Sequence, residues 1–179
     1  MTMPKLKLLI LDAGVVIYLH ELQIWPKLPE SCDVHLSRIV AEKEVLFEPN
    51  DQGGYGKNID LSPDIESGRI QVFEVDASDV KRFRDSFDSL YIGGLDDGES
   101  ESLVFLTGQT DEYLISSGDA IVYKVLGNLG KGEQGISLEE ILQKIGLGRQ
   151  VAVQYSKRFR ESCTRQGTED MIRGRGKKK

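Results

Sequence analysis

Residues 8–19 read LLILDAGVVIYL, an apolar run that is interrupted by a single aspartate, Asp12. A short apolar run rich in Leu, Ile and Val predicts a buried strand, here within residues 7–17. Asp12 lies at or near the carboxyl end of that strand. Because a carboxylate without a partner is costly to bury, we expect Asp12 either to meet a cation or to hold a proton.

The rest of the chain alternates between strand-like and helix-like segments. Residues 69–75 and 112–119 predict further strands, whereas residues 34–48 have a mixed pattern that favours neither structure. Residues 20–30 predict a short helix stopped by Pro26 and Pro29. Further helices are predicted within residues 76–90, with Asp76 or Ser78 as N-cap, and within 101–108, 120–130, 136–148 and 151–172. This alternation predicts an α/β fold with three layers, α/β/α, around a central parallel sheet.

The chain of 179 residues is long enough for one domain with a sizeable core and too short for two large ones. We predict a domain over residues 1–148, followed by a helical extension and a basic tail over residues 149–179. Residues 49–68 contain four glycines and two prolines, so they predict an insertion loop at about this position.

Charge is distributed unevenly along the chain. Residues 149–179 contain ten Lys and Arg and three Asp and Glu, a net charge of +7, while the other 148 residues carry −13. The tail is either a solvated, disordered end or an arm that binds a polyanion such as nucleic acid. In the second interpretation the nucleic-acid-binding residues are Arg173, Arg175, Lys177, Lys178 and Lys179.

Membrane insertion and secretion are not indicated. No apolar run reaches the roughly 18 residues that a membrane span needs, and no small-residue cleavage site follows the first run. Cys32 and Cys163 are far apart and lack a metal-binding spacing, which favours a reducing, cytoplasmic setting.

Acidic residues recur at predicted strand ends and helix starts. Asp12 and Asp119 follow two apolar strands, Glu99 opens a helix after a glycine loop, and Glu48 ends the segment VLFE. Because parallel strands end at one edge of a sheet, these carboxylates would converge there and repel one another unless a cation joins them. Carboxylate oxygens suit Mg²⁺ or Mn²⁺. Taken singly, Asp119 and Glu99 could instead cap or favour the start of a helix.

Other chemistries find little support in the sequence. Two histidines, His20 and His35, are too few for a histidine-rich zinc site. The chain has no nucleophile elbow and no phosphate-binding loop. The segment LDAGVVI faintly resembles the first motif of haloacid-dehalogenase-type phosphatases, but the second acid of that motif is replaced by Gly14.

Three segments together resemble the PIN-domain family. Residues 8–19 are similar to its first motif, in which an aspartate ends the first strand and an apolar helix follows. Residues 95–106, LDDGESESLVFL, resemble the Gly-Glu-x-Glu motif of one PIN subgroup, which opens a helix lining the site. Residues 113–126, YLISSGDAIVYKVL, are similar to the last motif, an apolar strand followed by Ser117, Gly118 and Asp119. The order and spacing agree over roughly residues 6–130.

The resemblance implies a PIN-like domain that acts as a Mg²⁺- or Mn²⁺-dependent ribonuclease. By analogy the metal ligands are Asp12, Glu99, Asp119 and Glu48, with Glu44 as an alternative to Glu48. Ser117 would orient Asp119 or a water. Water activated by the metal would attack the phosphodiester in line. Many PIN domains are toxins of toxin–antitoxin pairs, so RNA, an antitoxin or other protein partner, and a second copy of the chain are the expected partners.

Two questions about this interpretation stay open in the sequence. Glu99 and Glu101 are two residues apart and do not share a helix face, so we expect Glu99 to line the site and Glu101 to point aside. The rival to the enzyme is a degenerate PIN-like domain that binds RNA or a protein without cleaving it.

Overall fold

The computed structural model describes residues 5–43, 56 and 58–179. It contains a four-stranded parallel sheet in the order β3-β2-β1-β4, flanked by helices, which confirms the predicted three-layer α/β architecture. The strands are β1 (Leu6–Leu11), β2 (Cys32–Ser37), β3 (Ile70–Phe73) and β4 (Leu114–Ser116).

Helices lie in the connections between these strands and after the last strand, β4. They are α1 (Ala13–Glu21), α2 (Lys27–Ser31), α3 (Ser62–Glu66), α4 (Ala77–Asp85), α5 (Asp97–Gly108), α6 (Ala120–Asn128), α7 (Leu138–Lys144) and α8 (Lys157–Ile172). A π-helical turn follows β2 at Ile39–Lys43, and 3₁₀ turns lie at Gly132–Gln134 and Val153–Tyr155. Within the part of the chain that the structure describes, no helix combines the length and the apolar character needed to cross a membrane.

The register between β1 and the edge strand β4 fixes the position of Asp12. Ile10 of β1 pairs with Ile115 of β4, and Leu11 pairs with Ser116. The backbone N–H of Asp12 then donates to the carbonyl oxygen of Ser116 at 3.2 Å. Asp12 and the residues that follow β4 therefore lie side by side at the carboxyl edge of the sheet.

The first strand is shorter than the sequence pattern predicted. β1 ends at Leu11, and residues 13–17 belong to α1 rather than to a strand. The Asp12 carboxylate accepts a hydrogen bond from the backbone N–H of Val15 at 2.9 Å and so begins the helix. The apolar run continues through both elements because α1 also faces the core, with Val15, Val16 and Leu19 buried.

Two neighbouring predictions are also corrected. Residues 20–30 do not form one helix stopped by prolines: α1 ends at Glu21, and α2 begins directly after Pro26 and contains Pro29. Pro29 is tolerated there because the first turn of a helix leaves its N–H groups without intrahelical partners. The mixed segment forms β2 and the π-helical turn, and its residues 44–48 lie outside the described residues.

The predicted insertion loop, residues 49–68, is described only at residues 56 and 58–68, where it includes the unpredicted helix α3. The later elements are confirmed, most with shorter bounds, but α5 begins at Asp97, four residues before the predicted start. The helix predicted within residues 76–90 has Asp76 rather than Ser78 at its N-cap position. α7 begins with a capping box, in which Ser137 and Glu140 each accept a hydrogen bond from the other's backbone N–H.

The core consists of two apolar clusters, one on each face of the sheet. Leu11 packs with buried residues of α1, α2 and α7, whereas Ile10 packs with buried residues of α5 and α6. Adjacent residues of β1 therefore point to opposite faces, as the pleat of a strand requires. Cys163 of α8 belongs to the second cluster, so residues 149–179 contribute to the same core as the predicted domain.

Two glycines allow α8 to pack closely against α6. A Cβ atom at Gly167 would lie 1.9 Å from the carbonyl oxygen of Lys124, and one at Gly127 would lie 2.1 Å from that of Thr164. Neither position has room for a methyl group, since both neighbours are backbone atoms.

We expect Gly167→Ala to lower the free energy of unfolding by about 1–3 kcal/mol, because the added methyl forces the two helices apart. Urea denaturation measures this change. Gly108→Ala is the matched control, because a Cβ atom there meets nothing within 4 Å. Equal stability of the two variants would contradict the close packing of α6 and α8.

The basic tail is anchored through its backbone. The N–H of Lys178 donates to the carbonyl oxygen of Ser86 at 2.8 Å, and the N–H of Asp88 donates to that of Gly176 at 2.8 Å. The Asn128 side-chain amide donates to the carbonyl oxygen of Arg175 at 2.8 Å. The tail is thus not a free solvated end, although its arginine and lysine side chains are exposed.

Candidate functional site

A cavity of about 260 Å³ opens at the carboxyl edge of the sheet, beside β1 and β4. The described residues that line it are Asp12, Ala13, Gly14, Val40, Asp96, Glu99, Gly118, Asp119, Gln154 and Tyr155. The structure therefore brings together three of the four predicted acids, Asp12, Glu99 and Asp119. The fourth, Glu48, and its alternative Glu44 lie outside the described residues.

Three helices begin at this cavity, and each has an aspartate as N-cap. Asp12 caps α1 as described above, and Asp96 caps α5 by accepting from the N–H of Glu99 at 2.7 Å. Asp119 precedes α6, but its side chain makes no capping hydrogen bond. The side chains of Asp12 and Asp96 therefore have a structural role as helix caps. The side chain of Asp119 has no such role and is available to bind a ligand.

Ser117 holds the Asp12 carboxylate in place. Its hydroxyl donates to Asp12 Oδ2 and accepts from the backbone N–H of Asp119, the latter at 2.9 Å. Ser117 is fully buried and does not line the cavity. Where the resemblance implies that Ser117 orients Asp119 or a water, the structure shows it bonded to the Asp12 side chain and to the Asp119 backbone.

The glutamates of α5 point in different directions. Glu99 is 4% exposed, lines the cavity, and accepts from the N–H of Asp96 at 3.1 Å in a capping box. Glu101, 6% exposed, lines a second cleft together with Arg38. The helix therefore separates the two carboxylates, with only Glu99 beside Asp12 and Asp119.

The cavity holds an excess of negative charge. Burial, with smaller contributions from the charges of Asp96, Asp119 and Asp12, raises the pKa of Glu99 to about 8, although the hydrogen bond from the Asp96 N–H opposes this change. Burial also raises the pKa of Asp12 to about 6, although the hydrogen bonds from Ser117 and Val15 oppose this change. No lysine or arginine is found among the described residues that line the cavity.

These carboxylates fit a hard divalent cation. Their oxygens are the donors that Mg²⁺ and Mn²⁺ prefer, and a cation would relieve the repulsion among them, which adds to the effect of burial on the pKa of Glu99. Across residues 5–43, 56 and 58–179, however, no group of three His, Cys, Asp or Glu side chains is arranged to hold a metal ion. Because Mg²⁺ is often held by only one or two carboxylates with water and substrate phosphate, the donor set suits an open site rather than a closed cage.

The sequence did not single out Asp96, Gln154 or Tyr155 as site residues. Asp96 carried a usable signal, because an N-cap residue followed three positions later by a glutamate is the spacing of a capping box. The sequence around Gln154 and Tyr155 contains no such signal, since these residues reach the cavity only through the packing of the C-terminal segment. Tyr155 is buried, and its hydroxyl donates to the carbonyl oxygen of Gly14 at 3.2 Å.

The residues predicted to bind nucleic acid are not part of this cavity. Asp119 precedes α6, and Asn128, which anchors the tail, ends it. A helix of 9 residues is about 13 Å long, so the anchored tail lies roughly one helix length from the acids.

The raised pKa values predict how stability depends on pH when no metal is present. The folded protein binds a proton at Glu99 more tightly than the unfolded chain does, so the free energy of unfolding falls as pH rises from 4.5 to about 8. In Glu99→Gln, we expect the decrease in the free energy of unfolding over this pH range to be smaller than in wild type by roughly 1–4 kcal/mol. Urea denaturation with chelator at pH 5 and pH 8 measures it, and an identical pH dependence in both proteins would contradict the assignment.

The fold and the cavity define an α/β protein with an acidic site at its sheet edge. No family model, no curated protein and no solved structure matches the chain.

Proposed function

We propose that the protein is a Mg²⁺- or Mn²⁺-dependent ribonuclease that hydrolyses RNA phosphodiester bonds at this cavity. The observation that carries the proposal is the convergence of Asp12, Glu99 and Asp119, from three separate elements, on one cavity whose described lining has no basic side chain. The resemblance of the sequence to PIN domains supports RNA as the substrate.

Each side chain has a distinct part in this proposal. Asp12, Glu99 and Asp119 would hold the metal, which when bound lowers the pKa of a water and stabilises charge on the phosphate. Ser117 keeps the Asp12 carboxylate in position, as the N–H of Asp96 does for Glu99. Glu99, with a pKa of about 8, holds a proton at neutral pH and releases it when a cation offsets the neighbouring charges.

The test is cleavage of a mixed RNA pool with Mn²⁺, with Mg²⁺, and with chelator. We expect cleavage with either metal, loss of cleavage with chelator, and recovery when Mn²⁺ is added back in excess. Cleavage that is insensitive to the chelator would contradict the proposal, since a contaminating metal-independent nuclease or another mechanism would then be responsible.

A second candidate function is a catalytically inactive module that binds RNA or a protein. It is favoured by the absence of a ready three-residue metal cluster among the described residues. RNA binding without cleavage in the presence of either metal would support this candidate over the ribonuclease.

The cellular setting belongs to the same proposal. Both cysteines, Cys32 and Cys163, are free and buried, in keeping with a reducing cytoplasm. Partners of the ribonuclease would be RNA and, for a toxin, an antitoxin that covers the cavity. A second copy of the chain is a further proposed partner, and size-exclusion chromatography would detect the resulting homodimer.

The tail provides a prediction about substrate affinity. Replacing Lys177, Lys178 and Lys179 by Gln removes three exposed charges and keeps the backbone bonds that anchor the segment. If these side chains contact phosphates, RNA affinity should fall, and the slope of log affinity against log salt should decrease by roughly 0.7 per lost contact. An unchanged slope would mean that the tail does not contact RNA.

A further inference from the structure

The C-terminal segment returns to the acidic cavity and forms one of its walls. The 3₁₀ turn Val153–Tyr155 places Gln154 and Tyr155 in the lining. The Tyr155 ring stacks on Tyr18 with centroids 4.3 Å apart, and the Tyr18 hydroxyl accepts from the N–H of Ala152 at 3.0 Å. The turn is therefore fixed against α1.

The same turn also packs against the loop that follows β4. A Cβ atom at Gly118 would lie 2.6 Å from Cε1 of Tyr155, so the ring lies directly on that loop. Together with the bond from the Tyr155 hydroxyl to Gly14, this contact holds the wall at a set distance from Asp12 and Asp119. Gln154, the residue before Tyr155, has its exposed side chain at the cavity.

The wall differs chemically from the rest of the cavity. With a cation bound, the carboxylates of Asp12, Asp96, Glu99 and Asp119 are all ionised and can only accept hydrogen bonds. The single proton of the Tyr155 hydroxyl is already directed at Gly14. Among the described lining residues, Gln154 is then the one whose side chain still has donors to offer. A phosphodiester entering this cavity brings oxygens that accept hydrogen bonds and are repelled by carboxylates.

We propose that Gln154 is a substrate-binding residue whose side-chain amide donates to a non-bridging phosphate oxygen of the RNA beside the acids. A neutral donor suits this position because a lysine or arginine would pair with the carboxylates and compete with the metal for them. Tyr155 acts through Gln154 as a positioning residue, since its contacts with Gly14, Gly118 and Tyr18 fix the turn. The inference rests on the proposed ribonuclease activity.

The test compares Gln154→Ala and Gln154→Glu with wild type at saturating Mn²⁺ on a single-stranded RNA. Glu has nearly the shape of Gln but has no donor when ionised. A hydrogen bond made equally to substrate and transition state affects KM alone, so we expect KM to rise about tenfold in the Ala variant and further in the Glu variant, with kcat within about twofold of wild type. Val153→Ala is the matched control, because Val153 is 76% exposed and does not line the cavity.

The results of this comparison distinguish the proposed role of Gln154 from the proposed ribonuclease activity. An active wild type with unchanged KM in both Gln154 variants overturns this inference and leaves the ribonuclease standing, and so does a loss confined to kcat. A wild type that does not cleave RNA overturns both. Unfolding midpoints should be close to that of wild type in every variant, because the side chains of Gln154 and Val153 are both exposed.

Discussion

Asp12→Asn should abolish metal-dependent RNA cleavage while leaving the protein folded. The loss of activity should exceed the roughly 10–100-fold that is typical when an outer partner of a metal site is removed, since Asp12 would contact the metal directly. The fold should persist because asparagine keeps one oxygen to accept from Val15, and its amide can donate to Ser117 instead of accepting from it. Cleavage rates with Mn²⁺ and thermal unfolding with chelator measure the two effects.

The stability of this variant is as informative as its activity. Because burial raises the pKa of Asp12 to about 6, its charge opposes folding above that pH, and the neutral variant should be equally or more stable at pH 8 without metal. Asp111→Asn, an exposed change away from the cavity, should alter neither property. Unfolding of Asp12→Asn would make this aspartate a structural residue and remove the anchor of the proposed site.

The second large effect distinguishes two glutamates on one helix. Glu99→Gln should lose most of the cleavage, because this carboxylate lies in the cavity with Asp12 and Asp119. Glutamine also serves in a capping box, so α5 should still begin at the same residue. Glu101→Gln should keep much of the activity, because Glu101 lines the separate cleft with Arg38. Single-turnover cleavage of the same RNA compares the two variants directly.

Different results for the two glutamate variants would change the assignment of the metal ligands. A greater loss in Glu101→Gln would move the metal ligand to the second cleft, and an equal loss would mean that both clefts take part. If neither change matters, α5 is not part of the site and the binding module becomes the better candidate.

The sequence predicted the parts of the site that depend on local order. Asp12 and Asp119 follow β1 and β4, and the parallel pairing of these strands brings their carboxyl ends together. Glu99 follows from the start of α5 beside the same edge. These positions need only the assignment of strands and helices, which apolar periodicity supplies.

What the sequence missed depends on packing across the sheet. The boundary between β1 and α1 is hidden because both elements are apolar and buried, and periodicity does not separate two such segments. Gln154 and Tyr155 reach the cavity through the packing of the C-terminal segment, in which the turn contacts α1 and α8 packs closely along α6 at Gly127 and Gly167. Long-range contacts of this kind leave no local pattern that would identify them.

The wall formed by the turn Val153–Tyr155 has a consequence for the nascent chain. Ribosomes make proteins from the amino terminus, so Asp12, Glu99 and Asp119 are all synthesised before Gln154 and Tyr155. A translation intermediate that ends before residue 151 would contain these acids but not the side of the cavity that we propose binds phosphate. The proposed phosphate-binding side of the cavity would therefore be completed only after all three acids have been synthesised.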